Sequence, residues 1–258
     1  VNIYSPVGIA MDTNGIIYVA CDNGTNHNVF KFQSWDGVAL NGFEPNFKLG
    51  DLAFDSSNNL FISGNNLTDA RVRFYVTNTV GTNLVGSSIS VSTSTAGTYL
   101  NPGMDVKQDG SIVYLAGQSE GKIWKFTGSV SNGTANFSLA ADLVTGLSSP
   151  VACDIDNLNE IFVSTTTDNS VRLYDSGGAV IQTLTGMTQP RGVGIYPNSQ
   201  VILVSQYGTG LSFQRWVIPP TLQIPILGYH NVTASCNFRH GWMVSPDILA
   251  ACLVFVLN

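Results

Sequence analysis

Charged residues are scarce in this sequence: Asp, Glu, Lys and Arg make up 11% of the 258 residues, and the net charge is -6. Soluble domains average about 25% charged residues. With only 11 Lys and Arg and no basic cluster, the chain lacks the positive surface that attracts nucleic acids and anionic membranes. Both partners are therefore excluded, and we predict a neutral surface rich in hydroxyl and amide groups.

The sequence also lacks helical periodicity, an apolar run of membrane-spanning length, and the local motifs of common catalytic sites. The apolar run from Ile248 to Leu257 is about half of the ~20 residues that a spanning helix needs, so we predict a buried strand there. No Gly-x-Ser-x-Gly elbow, phosphate-binding loop or dinucleotide fingerprint occurs. Their absence favours binding over catalysis.

What the sequence does contain is a segment that recurs five times. The first copy is Pro6-Val-Gly-Ile-Ala-Met-Asp12-Thr-Asn-Gly-Ile-Ile-Tyr18-Val-Ala, which has the pattern of a strand, a turn and a strand. The copies lie near residues 6–36, 50–78, 102–127, 150–175 and 190–216. A third strand with alternating apolar residues follows each copy, at Val29–Phe32, Val72–Tyr75, Ile123–Phe126, Val171–Tyr174 and Phe213–Trp216.

The spacing of the copies predicts the architecture. Equivalent positions 12, 55, 107, 156 and 196 are 43, 52, 49 and 40 residues apart, which is the size of a four-stranded propeller blade. We therefore predict an all-β fold, a β-propeller, in which stacked blades bury their faces against one another. Asp12, Asp55 and Asp156 are predicted to accept hydrogen bonds from the amides of their own turns.

The pattern Pro-x-Gly-Ile-Ala-x-Asp-x-x-Gly-x-Ile-Tyr-Val-Ala, followed by Val-x-x-Phe, resembles the NHL repeat over about residues 1–216. The resemblance implies a propeller, usually six-bladed, with a polar central channel and two faces that carry loops. The pattern is more loosely similar to gluconolactonase-like propellers. Residues 217–258 lack the repeat's turn signature, so they form either a divergent last blade or an extension that donates a strand.

Enzymatic relatives of this kind hold a divalent metal or acid-base residues in the channel, and three carboxylates could serve here. Asp105 and Asp154 occupy the same repeat position in consecutive blades, and Asp51 lies two residues earlier in its own blade, on the same strand face. If they converge, their oxygens suit a calcium ion. The alternative is that each carboxylate bonds backbone amides. The Glu early in the first blade and the channel Asn ligands of the hydrolases are absent.

The histidines and the two tryptophans outside the repeat pattern give no catalytic set. We interpret His27 as a solvated loop residue, and His230 and His240 match no zinc-binding spacing with Cys236. Exposed on a loop, Trp35 or Trp242 could stack on a sugar or anchor a partner.

Glycosylation sequons and low charge favour a secreted protein. The five sequons begin at Asn23, Asn66, Asn132, Asn136 and Asn231. The four cysteines allow three pairings; we consider Cys236 with Cys252, and Cys21 with Cys153, against buried thiols as the alternative. The chain begins at Val1 without a charged, apolar leader, so we expect any signal peptide to have been removed.

Three hypotheses of function follow. The first is a secreted, glycosylated, non-enzymatic module that binds other copies or extracellular glycans, as in the repeating subunit of a filament. The second is a gluconolactonase-like or lyase-like enzyme with a channel metal, and the third is a carbohydrate-binding propeller. Assembly would use apolar side chains of the tail, namely Ile248, Leu249, Leu253, Val254, Phe255 and Val256.

Overall fold

A computed structural model describes residues 3–23, 25–33, 38–45, 47–65, 71–78, 89–92, 102–131, 134–195, 201–207, 212–217 and 232–234. These residues form twenty β-strands in five four-stranded antiparallel sheets, and the described ranges contain no helix, hence none that could span a membrane. The chain divides into two compact units, the first reaching Val151 and the second beginning at Ala152.

The first unit contains three sheets. The first sheet has β1 (Pro6–Met11), β2 (Ile16–Asp22), β3 (His27–Gln33) and β4 (Val38–Phe43). The second has β5 (Lys48–Phe54), β6 (Asn59–Asn65), β7 (Arg71–Asn78) and β8 (Ile89–Ser92). The third has β9 (Met104–Val106), β10 (Ile112–Gly117), β11 (Lys122–Ser131) and β12 (Thr134–Val144).

The second unit contains the last two sheets, apart from the first two residues of β13. The fourth sheet has β13 (Pro150–Ile155), β14 (Ile161–Thr165), β15 (Ser170–Tyr174) and β16 (Val180–Leu184). The fifth has β17 (Pro190–Ile195), β18 (Val201–Gln206), β19 (Ser212–Val217) and β20 (Val232–Ala234). In every sheet the strands are neighbours in chain order, as predicted from the repeats. β20 shows that part of segment 217–258 pairs with the fifth repeat.

Apolar second strands place the core between neighbouring sheets. Val19 on β2, for example, is fully buried, and five consecutive residues of β2, Ile17 to Cys21, are buried. In the first unit, Tyr18 and Ala20 pack with Leu49 and Leu60 of the second sheet. One further core lies between the second and third sheets, and another lies between the fourth and fifth.

The turn between the first two strands is built in the same way in the first, second and fourth sheets. Asp12 Oδ1 accepts hydrogen bonds from the amides of Asn14 and Ile16, both at 2.9 Å. Asp55 and Asp156 accept the equivalent pairs of turn amides at 2.8–2.9 Å. The predicted turn role of these three carboxylates is confirmed, since each satisfies two amides that the hairpin itself leaves without a strand partner.

Candidate functional site

The three carboxylates predicted for a metal lie on first strands and accept backbone amides. Asp51 Oδ1 accepts from Leu52 N at 2.9 Å, and its Oδ2 accepts from Met104 N on the next sheet at 3.3 Å. In the second unit, Asp154 Oδ2 accepts from Ile195 N at 2.7 Å. Asp51 and Asp154 therefore connect neighbouring first strands, which is the alternative that the sequence left open.

Asp105 follows the same pattern locally, because its Oδ1 accepts from Val106 N at 2.8 Å. Among the described residues, no group of three or more His, Cys, Asp or Glu side chains is placed to hold a metal ion. Calcium binding by these carboxylates stays a prediction of the sequence, and the contacts described here give each of them a structural role.

His27 is not a solvated loop residue, so that interpretation was wrong. It is the first residue of β3, it is 6% exposed, and its Nδ1 lies 2.9 Å from Asp22 Oδ2 on the paired strand. The same Asp22 oxygen accepts from Leu49 N at 2.6 Å. The sequence missed this because the strand begins earlier than its apolar alternation suggests. His230 and His240 lie outside the described residues.

Two cysteines are described, and the structure supports the thiol alternative for both. Cys21 on β2 and Cys153 on β13 are buried thiols, not members of a disulfide. Burial raises the pKa of the Cys21 thiol, which keeps it protonated and unreactive. The predicted pairing of Cys21 with Cys153 is therefore corrected, because each thiol packs in the core of its own sheet. Cys236 and Cys252 lie outside the described residues.

Two of the predicted glycosylation sites can be located. Asn23 is exposed between β2 and β3, and Asn136 is exposed on β12. Both side chains are therefore accessible to a glycan. Asn66, Asn132 and Asn231, Trp35 and Trp242, and the tail residues Ile248, Leu249, Leu253, Val254, Phe255 and Val256 lie outside the described residues.

A partly buried charged group lies in the first sheet. Lys31 Nζ is 5.3 Å from the centroid of the Tyr18 ring and 5.5 Å from that of Phe43. Burial, and then the Asp12 carboxylate, raise the pKa of Tyr18 to about 12. Lys125 faces Tyr114 in the same way in the third sheet. Because the pair recurs at equivalent register positions, we interpret it as a structural feature of the blade.

A polar pocket of about 430 Å³ opens in the second unit, and the sequence did not reveal it. It is lined by Thr166, Thr167, Asn169, Thr188, Gln189 and Arg191. These residues come from the turn between β14 and β15, the connection between β16 and β17, and the start of β17. The Arg191 guanidinium lies 5.1 Å from the centroid of the Tyr207 ring, which is 52% exposed. One signal was available: Arg191 stands where the other copies have Val7, Gly50, Pro102 and Val151.

The fourth strands of the sheets, β4, β8, β12, β16 and β20, are terminal strands with almost no charge. Asp142 on β12 is their one charged residue, and none contains proline. Terminal strands of natural sheets commonly carry charges or proline, which discourage pairing with other chains. On β16, Val180 is 57% exposed and Ile181 47% exposed. A register shift between Leu173 and Tyr174 leaves these neighbouring side chains both accessible.

Comparison with known proteins supports the repeat family and the fold. Residues 4–32, which contain β1, β2 and most of β3, match the family model described as NHL repeat. No curated protein matches the sequence. The NHL-like resemblance read from the sequence is therefore confirmed for the segment in which the pattern is strongest.

Solved structures share the fold at low identity. The nidogen/laminin complex matches with a TM-score of 0.61 at 15% identity, covering 81% of this chain and 74% of that one. A putative 6-phosphogluconolactonase from Bacteroides uniformis matches at 0.65 and 14%, covering 96% and 77%. Virginiamycin B lyase from Staphylococcus aureus matches at 0.53 and 15%, covering 78% and 62%.

These findings define the class of the protein. The chain is an all-β, NHL-repeat-like β-propeller, and the predicted fold class is confirmed. The number of blades stays a prediction, because five sheets are described and most of segment 217–258 is not. Proteins of this fold include a lyase, a putative lactonase and a protein in complex with laminin, so the fold alone does not assign an activity.

Proposed function

We propose that this chain is an extracellular, glycosylated, non-enzymatic module that assembles with copies of itself through fourth strands. The near absence of charge on the fourth strands is the observation that carries the proposal. A terminal strand that lacks charge and proline keeps its backbone donors and acceptors open to another strand. A second copy suits this surface because neutral strands pair without charge repulsion and a homodimer interface is commonly apolar at its centre.

The positions of the sequons indicate which fourth strands remain open. Asn136 is exposed on β12, Asn132 lies in the sequence just before that strand, and Asn231 directly precedes β20. A bulky glycan at these positions would cover the terminal strand and prevent pairing. β4, β8 and β16 contain no sequon. Of β4 and β16, whose side chains are described, β16 exposes the larger pair of apolar side chains, Val180 and Ile181. We therefore assign the contact to β16.

The non-enzymatic part of the proposal is supported by the ionisable side chains, because those that could serve in catalysis have structural roles. His27 is held by Asp22, and the carboxylates of Asp51 and Asp154 hold amides of neighbouring strands. A general base must reach a substrate proton, and each of these groups already has a hydrogen-bond partner within the protein. The extracellular location rests on the exposed Asn23 and Asn136, and mass spectrometry of protein from a secreting host tests whether they carry glycans.

The assembly proposal predicts that Ile181→Lys reduces self-association. A lysine on β16 places like charges opposite each other when two β16 strands meet, and it removes apolar contact area. Sedimentation velocity and electron microscopy of uncrosslinked protein should show high-mass species for the unaltered chain and fewer for the variant. Deleting residues 248–258 tests the contribution of the apolar tail in the same assay.

Leu158→Lys is the matched control, because Leu158 is 68% exposed on a turn of the same sheet and lies on no terminal strand. The two variants add the same charge and remove the same kind of side chain. Association that stays intact in Leu158→Lys but falls in Ile181→Lys supports the β16 contact. A strictly monomeric unaltered chain at all concentrations contradicts the proposal.

A further inference from the structure

The pocket beside Arg191 has the chemistry of a ligand site, and it is independent of the fourth strands. We propose that it binds an acidic saccharide, with Arg191 contacting a carboxylate or sulfate group and Tyr207 packing against the sugar ring. Its volume of about 430 Å³ lies within the ~300–1,000 Å³ that small-molecule sites commonly occupy. The argument rests on the charge, the rigidity and the polar groups of its lining.

Charge at the pocket is positive in a chain that is negative overall. Arg191 is exposed, and in the part of the chain that the structure describes it takes part in no ion pair. The nearby Asp168 is neutralised by Arg172, whose Nη2 lies 2.5 Å from Asp168 Oδ2. Arg191 therefore keeps its donors for an anion, and a planar guanidinium can hold a carboxylate or sulfate with two hydrogen bonds.

The walls of the pocket are fixed by hydrogen bonds between its loops. Asn169 Oδ1 accepts from Gln189 N at 2.7 Å, and Gln206 Oε1 accepts from Thr188 N at 2.5 Å. The Arg191 carbonyl accepts from Ser164 Oγ at 2.9 Å. When the backbone of a site is already held in place, ligand binding carries a smaller cost in conformational entropy.

The neutral groups of the lining favour a sugar over a peptide. Hydroxyl groups of Thr167 and Thr188 and the amide of Gln189 can donate to or accept from sugar hydroxyls. The exposed Tyr207 ring offers an apolar face with a polar end, which suits the face of a sugar ring. No aliphatic or aromatic residue belongs to the lining itself, so a peptide would find no pocket for an apolar side chain.

Isothermal titration calorimetry of the full chain can test the site with four defined probes. These are oligogalacturonate for carboxylates, a heparin-derived oligosaccharide for sulfates, maltohexaose as a neutral sugar, and oligoglutamate as an acidic peptide. We expect at least one acidic saccharide to bind more tightly than maltohexaose and oligoglutamate. Which acidic saccharide binds identifies the anion, and either result supports the proposal.

Arg191→Gln and Arg215→Gln separate a specific contact from general charge. Each removes one exposed positive charge from the second unit, and Arg215 lies on β19 rather than in the pocket lining. Losing a charge-assisted hydrogen bond to the ligand should weaken binding about tenfold or more in Arg191→Gln. Tyr207→Ala should weaken it as well, whereas Arg215→Gln should bind like the unaltered chain.

Three results would overturn the inference. The first is that neither acidic saccharide binds. The second is that Arg191→Gln and Arg215→Gln lose the same amount of affinity, and the third is that oligoglutamate binds as tightly as the acidic saccharides. None of them bears on self-association through β16, which sedimentation measures separately.

Discussion

At the residue scale, Tyr18 shows how burial and a neighbouring carboxylate act on one ionisable group. The phenol is 2% exposed, and its pKa of about 12 lies above the ordinary value of 10.0. The folded chain therefore holds the phenol proton more tightly than the unfolded chain does. Asp12 and Lys31 are the charged groups that face it, and burial lowers the pKa of Lys31.

We predict that Tyr18→Phe flattens the dependence of stability on pH in the alkaline range. The stabilisation from the raised pKa is complete below about pH 10 and is lost as the pH rises toward about 12. Phenylalanine is tolerated at this register position, since Phe61 occupies it in the second sheet. Urea unfolding at a series of pH values should give a shallower decline for the variant.

Tyr207→Phe is the control for that measurement, because it removes the hydroxyl of an exposed tyrosine. Parallel pH curves for Tyr18→Phe and the unaltered chain would contradict the prediction.

At the scale of the element, neighbouring turns of the first unit touch one another. Thr13 N donates to Asn58 Oδ1 at 2.9 Å, and Ser56 N donates to the Gln108 carbonyl at 2.7 Å. An ideal Cβ built on Gly110 would lie 2.6 Å from Asp55 Oδ2. The turn of the third sheet is thus in direct contact with the carboxylate that orders the turn of the second.

We predict that Gly110→Ala destabilises the chain more than Gly15→Ala. Both glycines occupy the same position of the repeated turn, with φ of +70° and +78°, so each alanine adds about 1–2 kcal/mol of backbone strain. Only Gly110→Ala also forces a methyl group against Asp55, which adds about 1–3 kcal/mol. Urea midpoints measure both, and equal losses would show that the contact with Asp55 relaxes at little cost.

These turns and strands could be predicted from sequence because their signals are local. A strand, a turn residue and a second strand lie within about fifteen residues, and Asp12 bonds amides only two and four residues away. His27 and Cys21 were less predictable, because burial depends on the partner strand and on the next sheet. The pocket could not be predicted from the sequence, because Asn169, Gln189 and Tyr207 come from three separate connections between strands.

At the scale of the whole molecule, glycosylation and self-association are expected to oppose each other. Asn136 lies near the middle of the charge-free part of β12, where a glycan would cover the backbone groups that another strand could pair with. Because β12 is the longest of the fourth strands, loss of a glycan there would open the largest pairing surface.

We therefore predict that Asn136→Gln increases self-association of protein from a glycosylating host. Asn23→Gln, which removes a sequon from a connection between strands, should leave association unchanged. Sedimentation velocity at matched concentrations compares the two variants with the unaltered chain. Equal association of both variants would show that the glycan at Asn136 does not shield β12.

The strand order has a consequence for how such a chain can evolve. In each described sheet the four strands follow one another directly along the chain, so a single uninterrupted stretch of gene encodes a complete sheet. Tandem duplication of one stretch adds a finished unit with its turn aspartate and its apolar faces already matched to those of its neighbours. Later substitutions can then change one copy alone. Position 191 is an example, because it holds an arginine where the other copies have small or aliphatic residues.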